Sequence, residues 1–216
     1  MDLRKSAMDR LTNARPALLV VDMQNDFCAD GGYVSRQGRD LSACRAIVPR
    51  IASLIASARE CSVPVIWVKA DYSTNAVSMA MRVKQAERGN AEVCCEPGTW
   101  GAEPFGVAPA RGETVIVKHR YSGFAGTQLD AELQRRDIDT LLFCGVQTNI
   151  CVESTVRDAH SKGYFIVAVG DCVASHMPEH HRATLDNIRF IFGDVLESTE
   201  IVSAWSRDYQ PSLPAV

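Results

Sequence analysis

A thiol at the opening of a helical pattern, a lysine closing one apolar run and an aspartate closing another are the residues here best suited to covalent chemistry. The thiol is Cys151, within FCGVQTNICVESTVRDA (143–159), where an apolar run ends, a polar turn follows and helical spacing begins. A free thiol of pKa ~8.5 is only a few per cent thiolate at neutral pH, so a nucleophilic cysteine needs help. A base, a cation or a helix N-terminus supplies it. Thr148 or Asn149 suits the N-cap of a helix opening at Ile150 or Cys151, and Glu153 suits its first turn. Lys118, at the end of TVIVK, is the candidate cation, and Asp22, at the end of ALLVV, the candidate base. His119 follows Lys118 directly and should point to the opposite side of a strand. The base is therefore expected to be a carboxylate. Taken singly, each residue has an ordinary reading: a turn-forming Asp, a solvated strand-end Lys, a small core Cys. Their convergence is what would set them apart.

The elements that must bring them together are legible as alternating strands and helices. Ala17–Val21 is a continuous apolar run of the kind buried on both faces of a parallel sheet. Leu41, Ile47, Ile51, Leu54, Ile55 and Ala58 recur at helical spacing. Further strands are expected at 63–68, 114–118, 140–146 and 164–169, with Phe190–Phe192 as a short sixth. Helices are expected at 78–88, 129–136, 150–162 and 178–188, and a last one near Thr199. This pattern predicts an α/β fold, a three-layer α/β/α sandwich with a mainly parallel sheet of about six strands. In such sheets ligands bind outside the carboxyl ends of the strands. Asp22, Asp71, Tyr72, Lys118 and the 147–151 turn all fall at those ends.

Composition narrows the function. The chain has 216 residues, 46% hydrophobic and 23% charged, with a formal net charge of −3. Scattered Lys and Arg give no electrostatic footprint for nucleic acid or anionic membrane. No apolar run approaches the ~18 residues of a membrane span, and MDLRKSAMDRLTNARP lacks the apolar core of a secretory signal. A cytoplasmic protein is the expectation. The eight cysteines, at 28, 44, 61, 94, 95, 144, 151 and 172, contain no C-x-x-C pair and no zinc spacing. They are read as reduced thiols, Cys144 as a small buried hydrophobe, and the adjacent Cys94 and Cys95 with no assigned role.

ALLVVDMQNDF, VIVKHRYSGF and GVQTNICVESTVRDAHSKGY, in this order and spacing, resemble the three motif segments of the isochorismatase-like cysteine hydrolases, a resemblance running from about Pro16 to Trp205. It implies one hydrolase domain over 1–216, with 1–15 as an N-terminal extension and 71–112 as a lid or substrate loop. It implies a catalytic Asp22, Lys118 and Cys151, a cis peptide before Gln147, and an oxyanion hole formed by the N–H groups of Gln147 and Cys151. A homodimer or homotetramer is implied too. True isochorismatases lack the cysteine, and the Asp-x-His metal site of nicotinamidases is missing from VKADYSTN, so neither metal nor cofactor is expected. The segments look most like the branch acting on ureidoacrylate, biuret and carbamoyl amides. A small linear amide or ureido compound is thus the expected substrate, with Phe27, Tyr72, Trp100, Tyr121 and Gln147 as its candidate contacts. The alternatives are a nicotinamidase- or maleamate-type amidase, and a redox-sensitive thiol protein of the same fold.

Overall fold

Six apolar runs become six strands: β1 (Pro16–Val21), β2 (Val65–Ala70), β3 (Thr114–Lys118), β4 (Thr140–Val146), β5 (Phe165–Ala174) and β6 (Asp194–Leu196). The computed structural model describes residues 11–12, 14–88 and 92–208. Most of the N-terminal extension, residues 89–91 of the 71–112 segment and residues 209–216 lie outside them. The sheet order is β3-β2-β1-β4-β5-β6, and every pairing is parallel. Because each crossover returns the chain to the same end of the sheet, helices cover both faces. On one face Leu18, Val20, Trp67 and Leu142 pack against helices that include α4 (Val48–Glu60) and α9 (Ser198–Asp208). On the other, Leu19, Val21, Ile66 and Phe143 meet α6 (Leu129–Arg135) and α7 (Glu153–Ser161). This is the three-layer α/β/α sandwich. Among the described residues no helix is long and apolar enough to cross a membrane.

Local chemistry explains the elements. β1 is buried at all six positions, as a central parallel strand must be. α4 buries Ile51, Leu54, Ile55 and Ala58, the i, i+3, i+4, i+7 stripe of an amphipathic helix, and carries Pro49 in its first turn. Burying each large aliphatic side chain contributes about 1.5–3 kcal/mol. Further α-helices among the described residues are α1 (Asn25–Cys28), α2 (Tyr33–Arg36), α3 (Ser42–Ala46), α5 (Met79–Glu87) and α8 (Pro178–Asn187). The expected strand at Phe190–Phe192 is instead part of a wide helical turn, 188–192, that extends α8. Phe190 is 86% exposed, and the sixth strand is formed by the three residues after Gly193. β5 also runs five residues further than its apolar run implied, through a register shift opposite Phe143 and Gly145.

The order of strands reverses between β1 and β4, and at that seam the backbones nearly touch. Gly145 adopts φ +111°, and a methyl group there would overlap the Val21 carbonyl oxygen. Only glycine combines that conformation with so close an approach. Gly145→Ala is expected to lower stability by more than about 3 kcal/mol, read as a fall in the urea midpoint. An unchanged midpoint would contradict the account of this seam.

Candidate active site

Three strand ends deliver the three chemical groups. After Val21 the chain turns sharply: Asp22 sits at φ +52°, its N–H bonded to the Val68 carbonyl and its own carbonyl to Gln24 N–H, both at 2.8 Å. Aspartate tolerates this left-handed conformation better than most residues. Lys118 closes β3, and its backbone carbonyl accepts from Asp71 N–H at 3.0 Å. Beyond β4 the Val146–Gln147 peptide is cis. The Gln147 carbonyl then accepts from Ile150 N–H at 3.0 Å and Val152 N–H at 3.3 Å. The second of these is an i→i+5 bond, so Cys151 lies in a wide turn, Thr148–Val152, that leads into α7. Thr155 fixes the turn from within: its hydroxyl donates to the Cys151 carbonyl at 2.6 Å and accepts from Gly123 N–H at 3.0 Å.

The side chains converge. Lys118 Nζ lies 2.9 Å from Asp22 Oδ2, 3.4 Å from Cys151 Sγ and 2.6 Å from the Tyr72 hydroxyl. Tyr72 Oη is itself 3.6 Å from Sγ. All four residues are buried, Lys118 completely. The ammonium pairs with the Asp22 carboxylate, which also faces the Cys151 thiol and the Ala70 backbone. A carboxylate carries about four lone-pair sites, so these contacts still leave room for a proton. The cluster stands where β1 and β4 part, the topological switch point of a doubly wound sheet.

A family model described as the isochorismatase domain matches residues 16–200. The chain belongs to the isochorismatase family. The ureidoacrylate amidohydrolase RutB of Methylobacterium radiotolerans is 35% identical over 212 residues, covering 90% of this chain and 81% of that protein. A cysteine hydrolase from Pseudomonas syringae pv. phaseolicola superposes with a TM-score of 0.79 at 28% identity, over 90% of this chain and 94% of its own. An isochorismatase family protein from Desulfovibrio vulgaris gives 0.78 at 32%, over 90% and 100%.

Burial dominates the electrostatics of this isochorismatase-family site. It pushes the Cys151 thiol up to about 12; Asp22 adds to the rise and Lys118 opposes it. Burial likewise raises Asp22, although Lys118 pulls the other way. For Lys118, burial works against the charge, but Asp22 and Cys151 outweigh it and hold the ammonium above its ordinary value. Burial thus favours the protonated thiol, which is held beside a cation and next to Asp22. The side chains expected to cap this turn are engaged elsewhere. Thr148 and Asn149 do not cap it: Thr148 Oγ1 pairs with His181 Nδ1 at 2.9 Å, and Asn149 Oδ1 accepts from Ser175 Oγ at 2.6 Å.

The remaining candidates fare differently. Phe27 and Tyr121 each meet Tyr72 edge-on, with ring centroids 6.3 and 6.1 Å away. His119 points elsewhere, its Nδ1 2.9 Å from the Asp71 carbonyl. The Gln147 amide turns to the other side, its Oε1 accepting from His176 N–H at 3.0 Å and facing Cys44 Sγ at 3.8 Å. Trp100 is not drawn into the cluster: its indole is half exposed, and its carbonyl accepts from Asn25 Nδ2 at 2.8 Å. A cleft of about 330 Å³ abuts Tyr72 and is lined also by Val77, Met79, Arg82 and Glu92. A second cleft, about 450 Å³, lies by Tyr164 and Phe190 at the opposite, amino-terminal end of the strands.

Two residues not singled out in the sequence hold the segment 92–104 over the site. Gln24 donates to the Ala70 and Ala102 carbonyls at 3.0 and 3.1 Å and accepts from Ala70 N–H at 2.8 Å. Asp26 accepts from Tyr33 N–H at 2.9 Å and Cys95 N–H at 2.7 Å. Asp26, Cys94 and Cys95 bring potential metal-binding atoms within 4.8 Å of one another, but both Asp26 oxygens already serve backbone N–H groups, the geometry of a loop clamp. The run QND, two residues after a buried strand, was the available signal, and the structure buries all three of its polar residues.

Proposed function

We propose that this isochorismatase-family chain is a cysteine-dependent amidohydrolase that opens a C–N bond of a small amide or ureido compound through an acyl-enzyme at Cys151. The observation that carries the reading is the buried contact of one thiol, one ammonium and one carboxylate. The similarity to ureidoacrylate amidohydrolases over most of the chain supports the substrate class.

The chemistry follows from the protonation states. Because the thiol is protonated at rest, Sγ attacks the carbonyl carbon as its proton passes to Asp22. Lys118 stays charged and offsets the negative charge on sulfur and carboxylate. The N–H groups of Gln147 and Cys151 receive the oxyanion, where each donor is worth about 2.7–4 kcal/mol. Asp22 returns the proton to the departing nitrogen, and ammonia leaves. A thioester remains, or a thiocarbamate if the substrate was ureido. Water, deprotonated by Asp22, attacks that carbon, and the proton returns to sulfur. The net reaction adds one water and releases ammonia with an acid or a carbamic acid. Phe27 and Tyr121 pack edge-on against Tyr72 beside the cluster, and aromatic surface of this kind suits a planar, conjugated substrate such as an unsaturated ureido acid.

The test is ammonia release from ureidoacrylate, biuret, carbamoyl amino acids, maleamate and nicotinamide, with acid-quenched samples mapped by mass spectrometry. Turnover of a ureido compound with an acyl adduct on the Cys151 peptide is expected. Silence across the panel, or an adduct on another cysteine during turnover, would refute the reading.

A further inference from the structure

Tyr72 carries a hydroxyl with three neighbours and one proton. Lys118 Nζ donates to it at 2.6 Å, so its own proton has two destinations: the Arg120 carbonyl at 3.2 Å or Cys151 Sγ at 3.6 Å. We propose that Tyr72 is a positioning residue for the nucleophile, its hydroxyl turning from the Arg120 carbonyl to the sulfur as the thiolate forms. The inference rests on the reading of Cys151 as nucleophile and adds a group that reading does not require.

The physical case begins with acceptor strength. A neutral thiol is a weak acceptor, so the carbonyl holds the phenolic proton at rest. A thiolate is charged, and charge-assisted hydrogen bonds are roughly twice as strong as neutral ones. Rotation about the C–O bond transfers the donor with no chain movement. The sulfur then has two donors, Lys118 at 3.4 Å and Tyr72. The ring is held for this task. It is 5% exposed, it packs edge-on against Phe27 and Tyr121, and its N–H is bonded to the Cys94 carbonyl at 3.1 Å. Burial and the neighbouring Cys151 keep the phenol well above its ordinary pKa, hence a donor at all working pH values. The titratable groups facing this oxygen and sulfur are Asp22, Lys118 and Cys151, with Cys94 and Tyr121 on the outer side.

Tyr72→Phe removes the hydroxyl and keeps the ring. Its kcat should fall about 10–100-fold, with KM changed less than about threefold, since the interaction exists only once the thiolate forms. Alkylation of Cys151 at fixed pH should slow by a similar factor relative to the partly exposed Cys61, which serves as internal reference. A rise in KM with kcat preserved would make Tyr72 a substrate wall only and overturn the proposal, as would unchanged alkylation. Site-specific replacement of Tyr72 by a fluorinated tyrosine keeps shape and hydroxyl but strengthens the donor. It should accelerate Cys151 alkylation, and an unaltered rate overturns the proposal even if Tyr72→Phe folds poorly. Cys151→Ala assayed in parallel separates the two readings. An active alanine variant removes the nucleophile itself, whereas an inactive one beside an unimpaired Tyr72→Phe removes only the role given to Tyr72.

Discussion

Cys151→Ala is expected to cut ammonia release by roughly four orders of magnitude or more, the scale seen when a covalent nucleophile is lost. The fold should survive. The sulfur is small, and its removal leaves the Lys118–Asp22 pair at 2.9 Å in place, so the buried charges stay compensated. The loss would therefore be chemical, visible in kcat at an almost unchanged Tm. Cys151→Ser should not restore the rate. Burial already drives the thiol to about 12, and an alcohol starts from a far higher value, beyond what Asp22 can deprotonate. An alanine variant that kept more than about a tenth of the activity would exclude the acyl-enzyme.

Lys118→Met should be the most damaging substitution for stability. The ammonium is completely buried and faces Asp22, Tyr72 and Cys151. Removing one member of a buried ion pair leaves the other charge uncompensated, at about 3–5 kcal/mol, or on the order of 10 °C in Tm for a chain of this size. The loss should depend on pH in a definite sense. Asp22 is already raised by burial, with Lys118 holding it down; without the lysine its folded pKa climbs further above the unfolded value. The folded state then binds the proton more tightly. Below the unfolded pKa both states are protonated and the penalty is absent. It grows as pH rises from about 4 towards the folded pKa and is complete above it. Urea midpoints of the variant should thus fall further below wild type at pH 8 than at pH 5. A pH-independent difference would mean that Asp22 is not the group left stranded.

How far the site was legible depended on which property each residue expressed. β1 and β4 were clear because strands buried on both faces must be apolar throughout; that uniformity marked Asp22 as a break in pattern, and the end of β4 set off the polar turn and helix start that single out Cys151. Lys118 followed from the same rule, though β3 proved to be an edge strand with Val115 and Val117 each 41% exposed. The two-residue repeat of a strand cannot say whether a helix will cover its outer face. Phe190–Phe192 failed for the converse reason: three apolar residues are too few to separate a strand from a turn, and Gly193 placed the strand one step later. Tyr72 was recognisable as a pocket residue, but the direction of its hydroxyl depends on β3 and the 147–151 turn. Nothing local to ADYST encodes that. The same holds for Gln147, whose side chain answers to His176 and Cys44, far away in the chain.

The central pairing of β1 with β4 also sets an order of events at the ribosome. Arg15 and Asp139, which bond at the start of that pairing, are 124 residues apart. At synthesis rates of about 5–20 residues per second, β1 emerges roughly 6–25 s before its partner. During that interval β1 can pair with β2 alone, and one edge of the most apolar strand stands open. Cys28, Cys44, Cys61, Cys94 and Cys95 are all synthesised before β4 can cover that edge, although four of these five end fully buried. The growing chain thus passes through a stage in which it is most open to oxidation and to pairing with a neighbour, and that stage ends only when the strand leading to Cys151 arrives.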